Sequence, residues 1–128
     1  MIPKDLRYTK EHEWVRMEGE EAVIGITDHA QSEMGDITFV ELPQIDKEVK
    51  QSAGLATVES IKAASDIYAP LSGRVIAVNE ALEGSPEVIN QAPYDTGWIC
   101  RVSVTNPSEM DSLMDADAYE QYLEASEK

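Results

Sequence analysis

The sequence predicts a mainly β fold, a small flattened barrel or sandwich with one short internal helix and a helical tail. Three observations carry that expectation. Short apolar runs with β-branched residues recur along the chain, Gly or Pro punctuates them at close intervals, and helical periodicity enters only near the end. With 128 residues, 42% of them hydrophobic, the chain has the length and apolar content of one domain with one core.

Taken in order, Glu13-Trp14-Val15-Arg16-Met17 and Ala22-Val23-Ile24-Gly25-Ile26 flank Glu18-Gly19-Glu20 and read as a hairpin about a Gly-containing turn. Thr27 or Asp28 is placed to cap a brief helix over His29 to Met34, and Gly35 stands where a glycine ends a helix. Ile37 to Leu42 is β-rich and stops at Pro43. Gly54 to Glu59 follows after a charged loop containing Lys47 and Lys50. Gly73 to Asn79 and Gly97 to Val104 read as further strands, with a looser stretch around Gly84-Ser85-Pro86 between them. Asn106-Pro107-Ser108-Glu109 makes a helix start, and Ala118, Tyr119, Tyr122 and Leu123 recur at helical spacing. A helical tail is therefore expected over about 107–124, one face against the strands, with Ala125 to Lys128 frayed. No linker or low-complexity tract divides the chain, so 1–128 reads as a single domain.

A formal net charge of −15 repels phosphate backbones and anionic membranes, and the basic residues do not cluster, which argues against nucleic-acid or membrane partners. The same charge keeps the chain soluble or steers it toward partners with basic faces. Cys100 is the only cysteine, so neither an internal disulfide nor a cysteine-based zinc site is available. The opening residues, Met1 to Arg7, carry no signal-peptide run or transit-type amphipathic stretch, and no run approaches the roughly 20 apolar residues of a span. The expected location is cytoplasmic, of bacterial type.

Catalytic and metal readings find little support. His12 and His29 stand alone in their segments with neither HExxH nor a Cys/His cluster, so no metal site is expected. Cys100 lies in a predicted strand, where a buried structural thiol is expected. Ser60 and Ser65 have no histidine near them in sequence to form a nucleophile pair, and Trp14 and Trp98 read as packing aromatics. No catalytic residue is assigned.

The most informative stretch is Val58-Glu59-Ser60-Ile61-Lys62-Ala63-Ala64-Ser65-Asp66-Ile67-Tyr68-Ala69-Pro70. Two β-compatible arms, Leu55 to Glu59 and Asp66 to Ala69, flank small residues around Lys62, the only cation between Lys50 and Arg74. A hairpin tip would put the amine in solvent, and small Ala63 and Ala64 would let it enter another protein's active site. On spacing alone, an ordinary solubility lysine stays an open alternative.

The residues themselves resemble a known family, the H protein of the glycine cleavage system. Tyr8-Thr9-Lys10-Glu11-His12-Glu13-Trp14-Val15, Ile24-Gly25-Ile26-Thr27-Asp28-His29-Ala30-Gln31, Gly35-Asp36-Ile37-Thr38-Phe39-Val40-Glu41-Leu42-Pro43, the Lys62 stretch and Asn90-Gln91-Ala92-Pro93-Tyr94-Asp95-Thr96-Gly97-Trp98 carry the resemblance, in the family's order. It implies a lipoyl-domain barrel-sandwich hybrid with Lys62 at a hairpin tip, carrying lipoate in amide linkage. It implies a non-catalytic carrier of the aminomethyl group of glycine, serving three enzymes. These are a pyridoxal-phosphate glycine decarboxylase (P protein), a tetrahydrofolate-dependent aminomethyltransferase (T protein) and dihydrolipoamide dehydrogenase (L protein). A lipoate ligase or lipoyl transferase would load it. It also implies that Glu13 and Asp66 lie by the cleft that receives the loaded arm. Glu33 is a departure, since some members have His there, and it bears on the contacts in that cleft.

Three other readings bear on the same lysine. A donor relaying lipoyl groups to other complexes, or a diverged relative serving another sulfur or redox pathway, would carry the same motif. A biotinyl carrier typically has Met on both sides of its lysine, whereas Ile61 and Ala63 flank Lys62. An independent hydrolase or transferase lacks a convergent nucleophile and base.

Overall fold

A computed structural model describes residues 2–126. The chain folds as two antiparallel sheets with short helices at their margins. Strands β1 (Arg7–Tyr8), β2 (Glu13–Glu18), β3 (Glu21–Ile26), β5 (Glu48–Val49), β8 (Gly73–Val78) and β9 (Cys100–Val104) form a six-stranded sheet in the order β1-β2-β3-β9-β8-β5. Strands β4 (Ile37–Glu41), β6 (Gly54–Ser60) and β7 (Ala64–Tyr68) form a three-stranded sheet in the order β4-β6-β7. The fold is mainly β, as expected, and the open sheets face each other across one core rather than closing on themselves.

That core joins Val15, Ile24 and Val102 of the larger sheet to Val40, Val58 and Ile67 of the smaller, with every one of these side chains buried. A second cluster, Leu6, Tyr8, Trp14, Val23, Ala116 and Tyr119, lies on the other face of β2 and β3. Helix α4 (Ala116–Ser126) covers it. Two-sided cover explains why Ala22-Val23-Ile24-Gly25-Ile26 is continuously apolar instead of alternating, because every residue of this stretch is buried. Burying each of Val23, Ile24 and Ile26 contributes about 1.5–3 kcal/mol.

Between β3 and β4, α1 (Asp28–Met34) begins at Thr27, whose hydroxyl accepts the Ala30 N–H at 3.2 Å. Thr27 rather than Asp28 is the cap. Gly35 ends the helix at φ 79° and ψ −155°, a conformation open only to glycine. The loose stretch around Gly84 holds two single-turn helices, α2 (Ala81–Gly84) and α3 (Val88–Gln91), anchored by buried Leu82 and Ile89. The helical tail comes in two pieces. A 3-10 turn spans Pro107–Ser112, and α4 starts at Ala116. Between them Met114 exchanges both backbone hydrogen bonds with Tyr8, at 2.8 Å each, which forces the chain to be extended there. Asp115 then accepts the Ala118 N–H at 2.8 Å and so restarts the helix. Helix α4 continues through Ala125 and Ser126, where fraying was expected; residues 127–128 lie outside the described residues.

Candidate functional site

Lys62 sits at the tip of the β6–β7 hairpin, where every residue from Ile61 to Asp66 is exposed. The tip is built by Ser60. Its backbone N–H donates to Ala63 O at 2.8 Å, and its hydroxyl oxygen accepts the N–H groups of Lys62 and Ala63 at 3.2 and 3.3 Å. Ser60, two residues before the lysine, therefore shapes the turn with both its backbone and its hydroxyl. The tip also rests on the α1–β4 corner. Ile61 N–H donates to Asp36 O at 3.1 Å, and the Lys62 stem lies over Gly35, where an added Cβ would come within 3.3 Å of Lys62 Cε.

Glu13, at the start of β2, is 1% exposed. One carboxylate oxygen accepts the Thr9 hydroxyl at 2.6 Å and the other accepts the Tyr68 N–H of β7 at 3.1 Å. It lines a cavity of about 490 Å³ together with Tyr8, Thr9, Lys10 and Tyr68. Burial pushes its carboxyl above the ordinary 4.5, against the two hydrogen bonds that favour the anion. The folded state thus holds this proton more tightly than the unfolded chain does. The stability Glu13 confers is full below pH 4.5 and is lost as pH rises through its raised folded value. Glu18, gripped by Arg101 and Arg16, is shifted the opposite way. A carbon-detected NMR titration is expected to give Glu13 a midpoint above 4.5 and Glu18 one below it. A Glu13 midpoint at or below 4.5 would mean that its hydrogen bonds outweigh its burial.

Asp66 is placed differently from Glu13. It is exposed on β7, accepts a long 3.4 Å hydrogen bond from Thr57 and lines a separate cavity with Glu41, Lys47 and Thr57. The two carboxylates named in the sequence reading do not share a cavity. Glu33 is exposed and reaches His29 Nε2 at 3.8 Å. His12 and His29, which share no motif, come together with ring centroids 4.6 Å apart. His12 Nδ1 meets the Tyr119 hydroxyl at 2.8 Å, and that hydroxyl meets Thr27 Oγ1 at 2.8 Å, so the pair ties α1 to α4. Burial first and then the His29 charge hold His12 below its ordinary value. Cys100 is buried in β9, its thiol pushed up to about 12 by burial, which leaves it inert at neutral pH. Trp14 is fully buried and donates to Pro93 O at 2.9 Å.

Two facing β-sheets thus present Lys62 on an exposed hairpin tip whose turn is closed by the backbone and hydroxyl of Ser60, an arrangement open to the approach of another protein. Residues 6–126 match the family described as Glycine cleavage H-protein. A glycine cleavage system H protein of Geobacillus kaustophilus is 56% identical over 118 residues, covering 92% of this chain and 93% of the relative. One of Symbiobacterium thermophilum is 51% identical over 121 residues, covering 94% of each. The crystal structure of a glycine cleavage system H protein from Mycobacterium marinum superposes with a TM-score of 0.86 at 32% identity, covering 99% of this chain and 100% of that one. The chain belongs to the glycine cleavage H-protein family. It is a lipoyl carrier component of the glycine cleavage system and is not itself catalytic.

Proposed function

We propose that Lys62 is the residue that carries lipoate, in amide linkage, and that the chain shuttles the aminomethyl group of glycine between the enzymes of the system. The exposed position of Lys62 on the hairpin tip carries this reading. The structure fits the group. The amine emerges among Ala63, Ala64 and Ser65, all small and exposed, so an enzyme cleft can close over the tip without a clash. Lipoate bound there supplies a disulfide–dithiol couple that can take up and yield a one-carbon unit. The chain would receive the aminomethyl unit at the glycine decarboxylase and deliver it to tetrahydrofolate at the aminomethyltransferase. Dihydrolipoamide dehydrogenase would then reoxidise it. The proposed compartment is the bacterial cytoplasm.

The test is direct. Incubation of the chain with a lipoate ligase, ATP and lipoate is expected to add one lipoyl mass, found by peptide mapping on the Lys62 peptide alone. Lipoyl mass on any other lysine, or none at all, overturns the assignment.

Glu13 is the proposed holder of the loaded arm's amine, because it is the buried carboxylate of a cavity bordered by β7, Glu11 at the same cavity being exposed. A carboxylate has about four lone-pair sites, and Thr9 and Tyr68 occupy two of them. It can therefore still accept a charge-assisted hydrogen bond. With aminomethyl-loaded protein and no transferase, Glu13→Ala is expected to release formaldehyde and ammonia about tenfold faster than wild type. Equal rates from two folded, equally lipoylated proteins would mean that Glu13 does not guard the unit.

A further inference from the structure

We propose that the Asn90 side chain is a positioning residue for Lys62, acting as a clip across the α1–β4 corner on which the lysine tip rests. The proposal deepens the reading of Lys62 as the attachment site and rests on it.

Asn90 lies in α3, 28 residues beyond Lys62, with its side chain partly buried. Its Oδ1 accepts the Ile37 N–H at 2.9 Å, and its Nδ2 donates to Gly35 O at 2.9 Å and to Gln31 Oε1 at 2.9 Å. The neighbours fix the amide's orientation, since a backbone N–H needs an acceptor and a backbone carbonyl needs a donor. The carboxamide thus pairs with residues 35 and 37 as a strand neighbour's peptide group would. It leaves Asp36 between them with its carbonyl directed at the tip.

The tip takes two fixings from that corner. Asp36 O accepts the Ile61 N–H at 3.1 Å, one residue before the lysine. The Lys62 stem occupies the space that a side chain at residue 35 would fill, which only glycine leaves open. The lysine-bearing turn is otherwise exposed from Ile61 to Asp66, and outside its own hairpin these are the fixings that hold residues 61 and 62. Without the clip, the Gly35 carbonyl and the Ile37 N–H lose their partner, the corner relaxes, and the amine is presented over a wider spread of positions. An enzyme that must align that amine with an activated acyl group then works on a less preorganised substrate.

The experiment compares wild type, Asn90→Leu and Asn90→Asp. The Asp variant keeps an acceptor for Ile37 N–H but opposes Gly35 O with a second oxygen, and it serves if the Leu variant fails to fold. Three quantities are measured: amide exchange at Ile61 and Ala63 against Ile24 and Val102 in the core, trypsin cleavage after unmodified Lys62, and kcat and KM for lipoylation. Expected in the folded variants are about tenfold faster exchange at Ile61, faster cut at the Lys62–Ala63 bond, and about a tenfold loss of kcat/KM for lipoylation with core exchange unchanged. Unchanged exchange and cleavage at the tip overturn the proposal. So does acceleration at Ile24 and Val102 to the same extent, because Asn90 would then support the whole fold rather than the lysine. The exchange and trypsin readouts do not depend on lipoylation. If wild-type Lys62 is not lipoylated, the attachment reading fails separately from the clip.

Discussion

Lys62→Arg is expected to abolish lipoylation and all glycine decarboxylation supported by the chain, while leaving the fold intact. The two halves of that result have different physical causes. Acylation needs a primary amine that can lose a proton, and a guanidinium keeps its charge and delocalised nitrogens at any working pH. The fold is spared because Lys62 is exposed, and the turn is held through backbone groups, the Lys62 N–H by Ser60 and the preceding Ile61 N–H by Asp36, which an arginine at 62 retains. Arginine keeps an aliphatic stem over Gly35. The stability change is expected to stay within about 0.5 kcal/mol, the usual range for an exposed position. The measurement pairs a thermal melt with intact mass after ligase treatment, and then with carbon dioxide release from glycine in a system reconstituted from the partner enzymes. Retained decarboxylation in a folded Lys62→Arg protein would remove Lys62 from the mechanism.

The sequence made some of this structure legible because local rules decide it. The hairpin from Glu13 to Ile26, the helix between Thr27 and Gly35, and the two arms around Lys62 follow from alternation, capping and turn chemistry, all within a few residues. What escaped reading is decided by partners far along the chain. The two-residue strands β1 and β5 exist because their edges meet β2 and β8, and neither segment has a β pattern of its own. Helices α2 and α3 are four residues each, too short for periodicity to show, and are held by one buried side chain apiece. The tail breaks at Met114 because Tyr8, more than one hundred positions earlier, pairs with it.

The site divides along the same line. The placement of Lys62 on an exposed tip was legible, since a hairpin tip is a local device. The surroundings of Glu13 were not, because its burial comes from Thr9 on one side and from Tyr68 on another strand. Asn90 stood inside a recognisable segment, Asn90 to Trp98, yet its bonds to Gln31, Gly35 and Ile37 cross more than fifty residues. Asp66 shares a hairpin with Lys62 but opens onto a different cavity from Glu13, and only the paired sheet reveals that.

Gly25→Ala is expected to destabilise the chain by about 3 kcal/mol, the upper part of the usual range for overpacking a core. Gly25 and Trp14 are direct cross-strand partners of β3 and β2. The indole lies so closely over the glycine that an added Cβ would meet Trp14 Cε2 and Cζ2 at 2.6 Å. Real carbon contacts are about 3.5–4.0 Å, so the ring would have to move by about 1 Å. It has nowhere to go, being fully buried, packed with Tyr8, Val23 and Tyr119, and tied to Pro93 O. Displacement would break that hydrogen bond and loosen the bed of α4. The expected fall in Tm is about 10 °C for a chain of this length. A double-mutant cycle isolates the cause: Trp14→Leu alone costs stability by leaving a void, but in that background Gly25→Ala should cost less than about 1 kcal/mol, because the clashing ring is gone. An undiminished cost of Gly25→Ala in the Trp14→Leu protein would place its effect in the backbone of β3 and not in the close approach of the indole.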